Sequence, residues 1–123
     1  MQVEKDVSEF LRSTFRSIWS LELLFLLADD ATRCWSNPEL VAALRASELV
    51  VSQSVDNLTA AGLVVPEPAE CVRYGPLSTA LHQQVLAVRT LYMRSPHAVR
   101  RMIVRAQPGS IAAFADAFKF RKD

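Results

Sequence analysis

The sequence of 123 residues is poor in several residue types, and each shortage limits what the chain can be. It has only 3 glycines, 2 cysteines and 2 histidines. The histidines, His82 and His97, are isolated, and no spacing among them and the cysteines is typical of a metal site. We therefore interpret Cys34 and Cys71 as reduced thiols and predict no metal.

Catalytic motifs are missing as well. The sequence contains no phosphate-binding loop, no nucleophile elbow and no zinc-protease motif. We therefore predict no catalytic residues and no cofactor, and we do not expect an enzyme.

The sequence also lacks an excess of charge of one sign, because its formal net charge is only +1. A dedicated DNA-binding domain is usually more basic. The longest apolar stretch, residues 17–28, is interrupted by Ser20 and Glu22 and falls short of the roughly 20 residues that a membrane span needs. No signal peptide is evident at the N-terminus. These features predict a cytoplasmic protein with no membrane span.

What the chain does have is hydrophobic periodicity. Half of the residues are hydrophobic, which favours a mostly helical domain with a real core. In residues 39–65, two amphipathic helices are expected around a tight turn, Arg45 to Ser47, with Ser47 as the N-cap of the second. The first helix begins at either Ser36, with Glu39 completing a capping box, or Asn37. Gly62 should end the second helix before a β-prone segment.

These residues carry a resemblance to a known family. Ser47, the run Val51-Ser52-Gln53, Leu58 and the run AAGLV at residues 60–64 resemble the winged helix-turn-helix of MarR-like bacterial transcriptional regulators. The resemblance implies a mainly α fold with a small β-hairpin wing and additional N- and C-terminal helices. It also implies a homodimer that binds DNA and regulates transcription. The candidate DNA-binding residues are then Arg45, Ser47, Ser52, Gln53, Ser54, Asn57 and Arg73.

The charges around the second helix depart from that pattern. Between Glu48 and Gly62 there is no lysine or arginine, and Asp56 adds a second carboxylate. The tip of the expected wing carries Glu67 and Glu70. Because cations that neutralise phosphates provide most nonspecific DNA affinity, an alternative remains open. In that alternative, the chain is a winged-helix module that binds another protein and has lost DNA binding.

The flanking segments suggest three parts, at residues 1–16, 17–95 and 96–123. The first is an amphipathic helix interpreted as a dimer arm, and the last holds helices for packing or for docking a partner. The candidate contact residues in them are apolar: Val3, Val7, Phe10, Leu11, Phe15, Ile111, Phe114 and Phe118. A basic patch, Arg94, Arg100, Arg101 and Arg105, could meet phosphates or an acidic protein surface, or could simply be solvated.

Overall fold

Serine hydroxyls set the starts of most of the helices. The computed structural model describes residues 2–106, and the side chains from residue 6 onward. Its helices are α1 (Gln2–Thr14), α2 (Ile18–Asp29), α3 (Asn37–Leu44), α4 (Glu48–Ala60), α5 (Thr79–Arg94) and α6 (Pro96–Ala106). The serines that cap α2, α3, α4 and α5 each accept a backbone N–H of the first turn: Ser17, Ser36, Ser47 and Ser78. This confirms the predicted mainly helical class.

The start of α3 settles the alternative left open by the sequence. Ser36 is the N-cap, and Glu39 returns the bond by accepting the Ser36 backbone N–H at 2.8 Å. Both halves of the capping box are therefore present, with Pro38 in the first turn. The same bond from Ser36, and then the hydrogen bond from Arg33, lower the pKa of Glu39 because both favour the charged carboxylate.

Three short strands form an antiparallel sheet beside the helices. They are β1 (Trp35–Ser36), β2 (Val64–Glu67) and β3 (Cys71–Tyr74), in the order β1-β3-β2. The hairpin β2–β3 pairs Val64 with Tyr74 and Glu67 with Cys71. Trp35 of β1 pairs with Val72 of β3.

One hydrophobic core includes residues from all three parts expected from the sequence. Helix α2 packs on α3, α4, α6 and β3, and α1 packs on α5 and α6. Leu21, Leu23, Leu24 and Leu27 are buried, but Trp19 is 40% exposed.

Gly62 occupies the position after α4 that the sequence predicted. Its φ of +75° lies in the left-handed region, where a side chain is strained. A Cβ there would also lie 2.7 Å from Cδ1 of Leu77. The positive φ is what requires glycine in the turn from α4 into β2, because the exposed Leu77 side chain could move away from a Cβ.

The cysteines are not the reduced thiols that we expected. Cys34 and Cys71 form a disulfide, with their Cα atoms 5.3 Å apart. The pairing of Ser36 with Cys71 in the sheet brings the two segments together. A separation of 37 residues along the chain gave no local signal of this contact.

Candidate functional site

The turn between α3 and α4 fixes the direction of α4. Arg45 follows the last residue of α3 in a left-handed conformation, with φ 55° and ψ 42°. Ser47 then caps α4 by accepting the Val50 backbone N–H at 3.1 Å. The hydroxyl of Ser47 is thus used within the helix, whereas the Arg45 side chain is exposed and has no ion-pair partner among residues 6–106.

The outward side of α4 is acidic and partly apolar. Its exposed residues before the last turn, which we call the α4 surface, are Glu48, Leu49, Ser52, Gln53 and Asp56. Leu49 is 65% exposed, less than Leu77 and Met93 elsewhere on the molecule, and it differs from them in lying among carboxylates beside a groove. Within this helix two carboxylates meet no lysine or arginine, so the α4 surface is negatively charged at neutral pH.

Ser54 and Asn57, which the sequence offered as DNA contacts, face the protein instead. Ser54 is only 3% exposed, because it lies on the same side of α4 as the buried Val51 and Leu58. Ser54 therefore has almost no exposed surface in this structure, and its assignment as a DNA contact stays a prediction. A serine in an amphipathic helix gives no local sign of which side it takes.

The amide of Asn57 clamps the junction between α1 and α2. Its Nδ2 donates to the Thr14 carbonyl at 2.8 Å, and its Oδ1 accepts the Arg16 backbone N–H at 2.9 Å. Reading adenine would need both of these amide atoms. Both amide atoms of Asn57 are thus used within the protein, and its assignment as a DNA contact stays a prediction.

An open groove of about 500 Å³ adjoins the α4 surface. It lies between the start of α2 and the middle of α4. Arg16 and Asp56 contribute opposite charges to its lining, and the half-exposed Trp19 and Val50 make it partly apolar. Gln53 belongs both to this groove and to the α4 surface, so the two are continuous.

The hairpin presents little positive charge. Arg73 pairs with Glu67 at 2.7 Å, and its Nη1 also approaches the Tyr74 carbonyl at 3.5 Å. Glu70 is exposed at the turn, with a positive φ of 61°. Arg73, the predicted phosphate contact, is therefore neutralised by its neighbour across the hairpin.

The basic patch lies on other helices. Arg94 ends α5, and the remaining three arginines are exposed on α6, which packs on α1, α2 and α5. Arg101 and Arg105 line a shallow hollow with Arg12 of α1. Helix α4 packs instead on α2, α3 and β2. The arginines are therefore carried by a different set of helices from the α4 surface.

Arg100 belongs to a small polar network. Its Nη2 donates to the Tyr92 hydroxyl at 3.0 Å, and that hydroxyl donates to Glu22 Oε1 at 3.0 Å. Glu22 in α2 thereby gains the partner that its partial burial requires. The direct partner of Glu22 is the Tyr92 hydroxyl, and Arg100 bonds to that hydroxyl in turn.

The apolar side of α1 is already covered by the rest of the chain. Val7, Leu11 and Phe15 are buried, and the ring of Phe10 meets that of Phe15 edge-on at 5.7 Å. These side chains therefore pack within the chain, and their assignment as dimer contacts stays a prediction. The side chains of Val3, Ile111, Phe114 and Phe118 lie outside the described residues.

Two titratable side chains, His82 and Tyr74, contact each other beside the sheet. His82 bonds through Nδ1 to the Tyr74 hydroxyl at 2.8 Å. Burial raises the pKa of Tyr74, because the phenolate is poorly solvated there. No group of three or more histidines, cysteines or carboxylates suited to a metal occurs among residues 6–106.

Comparisons with known proteins give no family for the chain: no protein-family profile matches, and neither a curated protein nor a solved structure matches it significantly. None of the helices in the described part of the chain combines the length and the apolar character needed to cross a membrane.

Proposed function

We propose that this chain is a winged-helix module that binds a protein through the α4 surface. The order of elements supports the winged-helix assignment: two helices joined by a tight turn are followed by a two-stranded hairpin, whose second strand also pairs with β1. Fold alone does not determine the ligand, so the choice of partner depends on the side chains that α4 exposes.

The observation that carries the proposal is the chemistry of the α4 surface. An exposed leucine lies among polar residues with two carboxylates and no cation on the helix. The adjoining groove adds the half-exposed Trp19. Exposed apolar side chains rimmed by polar ones are typical of protein contacts, and carboxylates beside them favour a basic partner. We infer that the partner presents an apolar side chain flanked by lysine or arginine.

Site-specific photocrosslinking in cells tests this proposal. A photoreactive amino acid at position 52 should give one discrete protein adduct. The same group at position 86 on α5, also exposed, is the matched control. Leu49→Arg should abolish the adduct at position 52, because it replaces the apolar contact with a charge that repels a basic partner. The same adducts in the same yield at positions 52 and 86 would contradict the proposal.

A second candidate is a dimeric DNA-binding regulator. The turn between α3 and α4 favours it, since Arg45 there is exposed and meets no carboxylate within residues 6–106. In helix-turn-helix proteins, the second helix enters the major groove by its first residues. In this chain those residues are Glu48, Leu49 and Ser52, with no cation among them.

Titration of fluorescent genomic fragments at low salt separates the two candidates. If α4 approaches DNA, the double change Glu48→Gln and Asp56→Asn should strengthen binding, because it removes repulsion from phosphates. Serine-to-alanine substitution at Ser52 is a control that leaves the charge unchanged. Retention of a specific fragment at micromolar wild-type protein would favour the regulator. If neither the wild type nor the double variant retains a DNA fragment, the proposal of protein binding stands over the regulator.

A further inference from the structure

The disulfide closes a loop around the candidate site. Cys34 immediately precedes β1, and Cys71 is the first residue of β3. The 37-residue separation between them contains α3, the turn, α4 and β2. Helices α1, α2, α5 and α6 lie outside the loop. The bond therefore constrains the part of the molecule that presents the α4 surface.

Non-covalent contacts between the two ends of this loop are few. Strand β1 has only 2 residues, and it pairs with β3 at Trp35–Val72 and Ser36–Cys71. Ser36 is also the residue that caps α3. Without the covalent bond, the capping residue would be held to the hairpin by a minimal stretch of sheet.

The disulfide lies where a small thiol can reach it. Cys34 and Cys71 are both partly exposed, whereas the paired Trp35 and Val72 between them are buried. Access to sulfur is a requirement for thiol–disulfide exchange, in addition to the reactivity of the attacking thiolate. A disulfide enclosed in the core would not meet this requirement.

We propose that Cys34 and Cys71 form a redox latch that fixes the α3 cap to the hairpin when oxidised and releases it when reduced. The oxidant is a low-molecular-weight disulfide such as oxidised glutathione. One cysteine thiolate attacks a sulfur of that disulfide, forms a mixed disulfide and expels one thiolate. The second cysteine then attacks the protein sulfur of the mixed disulfide and expels the other.

The exchange is balanced. Two electrons pass from the cysteine pair to the small disulfide, which becomes two thiols. The two protons lost by the cysteines are taken up by the two expelled thiolates. Reduction by excess thiol is the reverse. This inference is independent of the proposed function, because the latch is measured on the protein alone.

Hydrogen exchange of the full chain in glutathione buffers of varied composition tests the latch. The redox state is read in parallel by mass after alkylation of thiols. In the reduced protein, amides of Ser36, Glu39 and β3 should exchange faster by about tenfold, as expected for local opening. Amides of α5 and α6 that exchange through local openings should keep their rates, because these helices lie outside the loop. Amides that exchange only through global unfolding accelerate with the loss of global stability, so the comparison uses the locally opening amides alone.

The double variant Cys34→Ser, Cys71→Ser is the control. It should show the reduced pattern in every buffer, and far-UV circular dichroism should show that its helices remain. Three results would each overturn the proposal: identical exchange in the two redox states, faster exchange spread evenly over the molecule, or a pair that stays oxidised in the most reducing glutathione buffer. The second and third would make the bond a static staple.

Discussion

The inward and outward sides of α4 differ in burial and in charge. On the inward side, Val51, Ser54 and Leu58 are buried against the core, and Asn57 ties the helix to the junction of α1 and α2. On the outward side, Leu49 is 65% exposed beside two carboxylates. The difference teaches that polar residues of one helix divide between the core side and the solvent side, which residue type alone does not reveal.

The largest effect is expected from removing the Cys34–Cys71 disulfide, which closes the loop that contains α4. Cys34→Ser with Cys71→Ser should lower the free energy of unfolding by about 4 kcal/mol, from the chain entropy of a loop of this length. Urea denaturation of the variant and the oxidised wild type measures the change. A loss below about 1 kcal/mol would mean that the reduced unfolded chain already keeps its ends close, or that the bond strains the folded state.

The next prediction compares the same residue type on opposite sides. Leu58→Ala should cost about 3 kcal/mol, because it deletes a fully buried side chain and leaves a cavity. Leu49→Ala should stay within about 0.5 kcal/mol, since it changes an exposed position. The midpoints of urea denaturation measure both losses of stability, provided that the dependence of the unfolding free energy on urea concentration is the same in both variants. Similar losses for the two variants would remove the distinction between the sides.

A smaller loss of stability is expected from removing the two hydrogen bonds of Asn57. Asn57→Ala deletes both hydrogen bonds to the α1–α2 junction and should cost about 1–2 kcal/mol. Gln53→Ala, one turn earlier on the outward side, is the matched control and should be nearly neutral. Hydrogen exchange of the Arg16 amide should accelerate in the first variant only. Equal stability of the two variants would show that Asn57 does not support the fold.

The smallest effect is a pH dependence at the start of α3. The hydrogen bonds that lower the pKa of Glu39 stabilise its charged form. Their contribution is complete above the pKa of an unfolded glutamate and is lost as pH falls through the lowered folded value. The amide shift of Ser36, followed by NMR in acid, should titrate with Glu39. Glu39→Gln should abolish that titration while leaving the shift of the Val50 amide, at the start of α4, unchanged.

Local features of this fold were predictable because their determinants are adjacent in the chain. The four capping serines, Gly62 and the β2–β3 hairpin each depend on residues within a few positions. The mainly helical class followed from the same periodicities. The opposite charge character of α4 and α6 was also readable from the sequence.

The contacts that the sequence did not predict join residues that lie far apart along the chain. Asn57 bonds to residues 41 and 43 positions away, and Glu22 meets Tyr92 across 70. Side-chain hydrogen bonds of this kind depend on how helices pack, which periodicity does not specify. The Cys34–Cys71 bond depends in turn on the pairing of β1 with β3, and a strand of 2 residues gives almost no pattern.

The order of the strands has a consequence for behaviour at high concentration. Strands β1 and β2 form the two borders of the sheet, so their outer backbone groups could recruit a strand from another molecule. Strand β1 is too short to act as a template, and β2 contains Pro66, which has no N–H to donate. Growth of the sheet between molecules, the first step toward fibrils, is thus blocked at both borders.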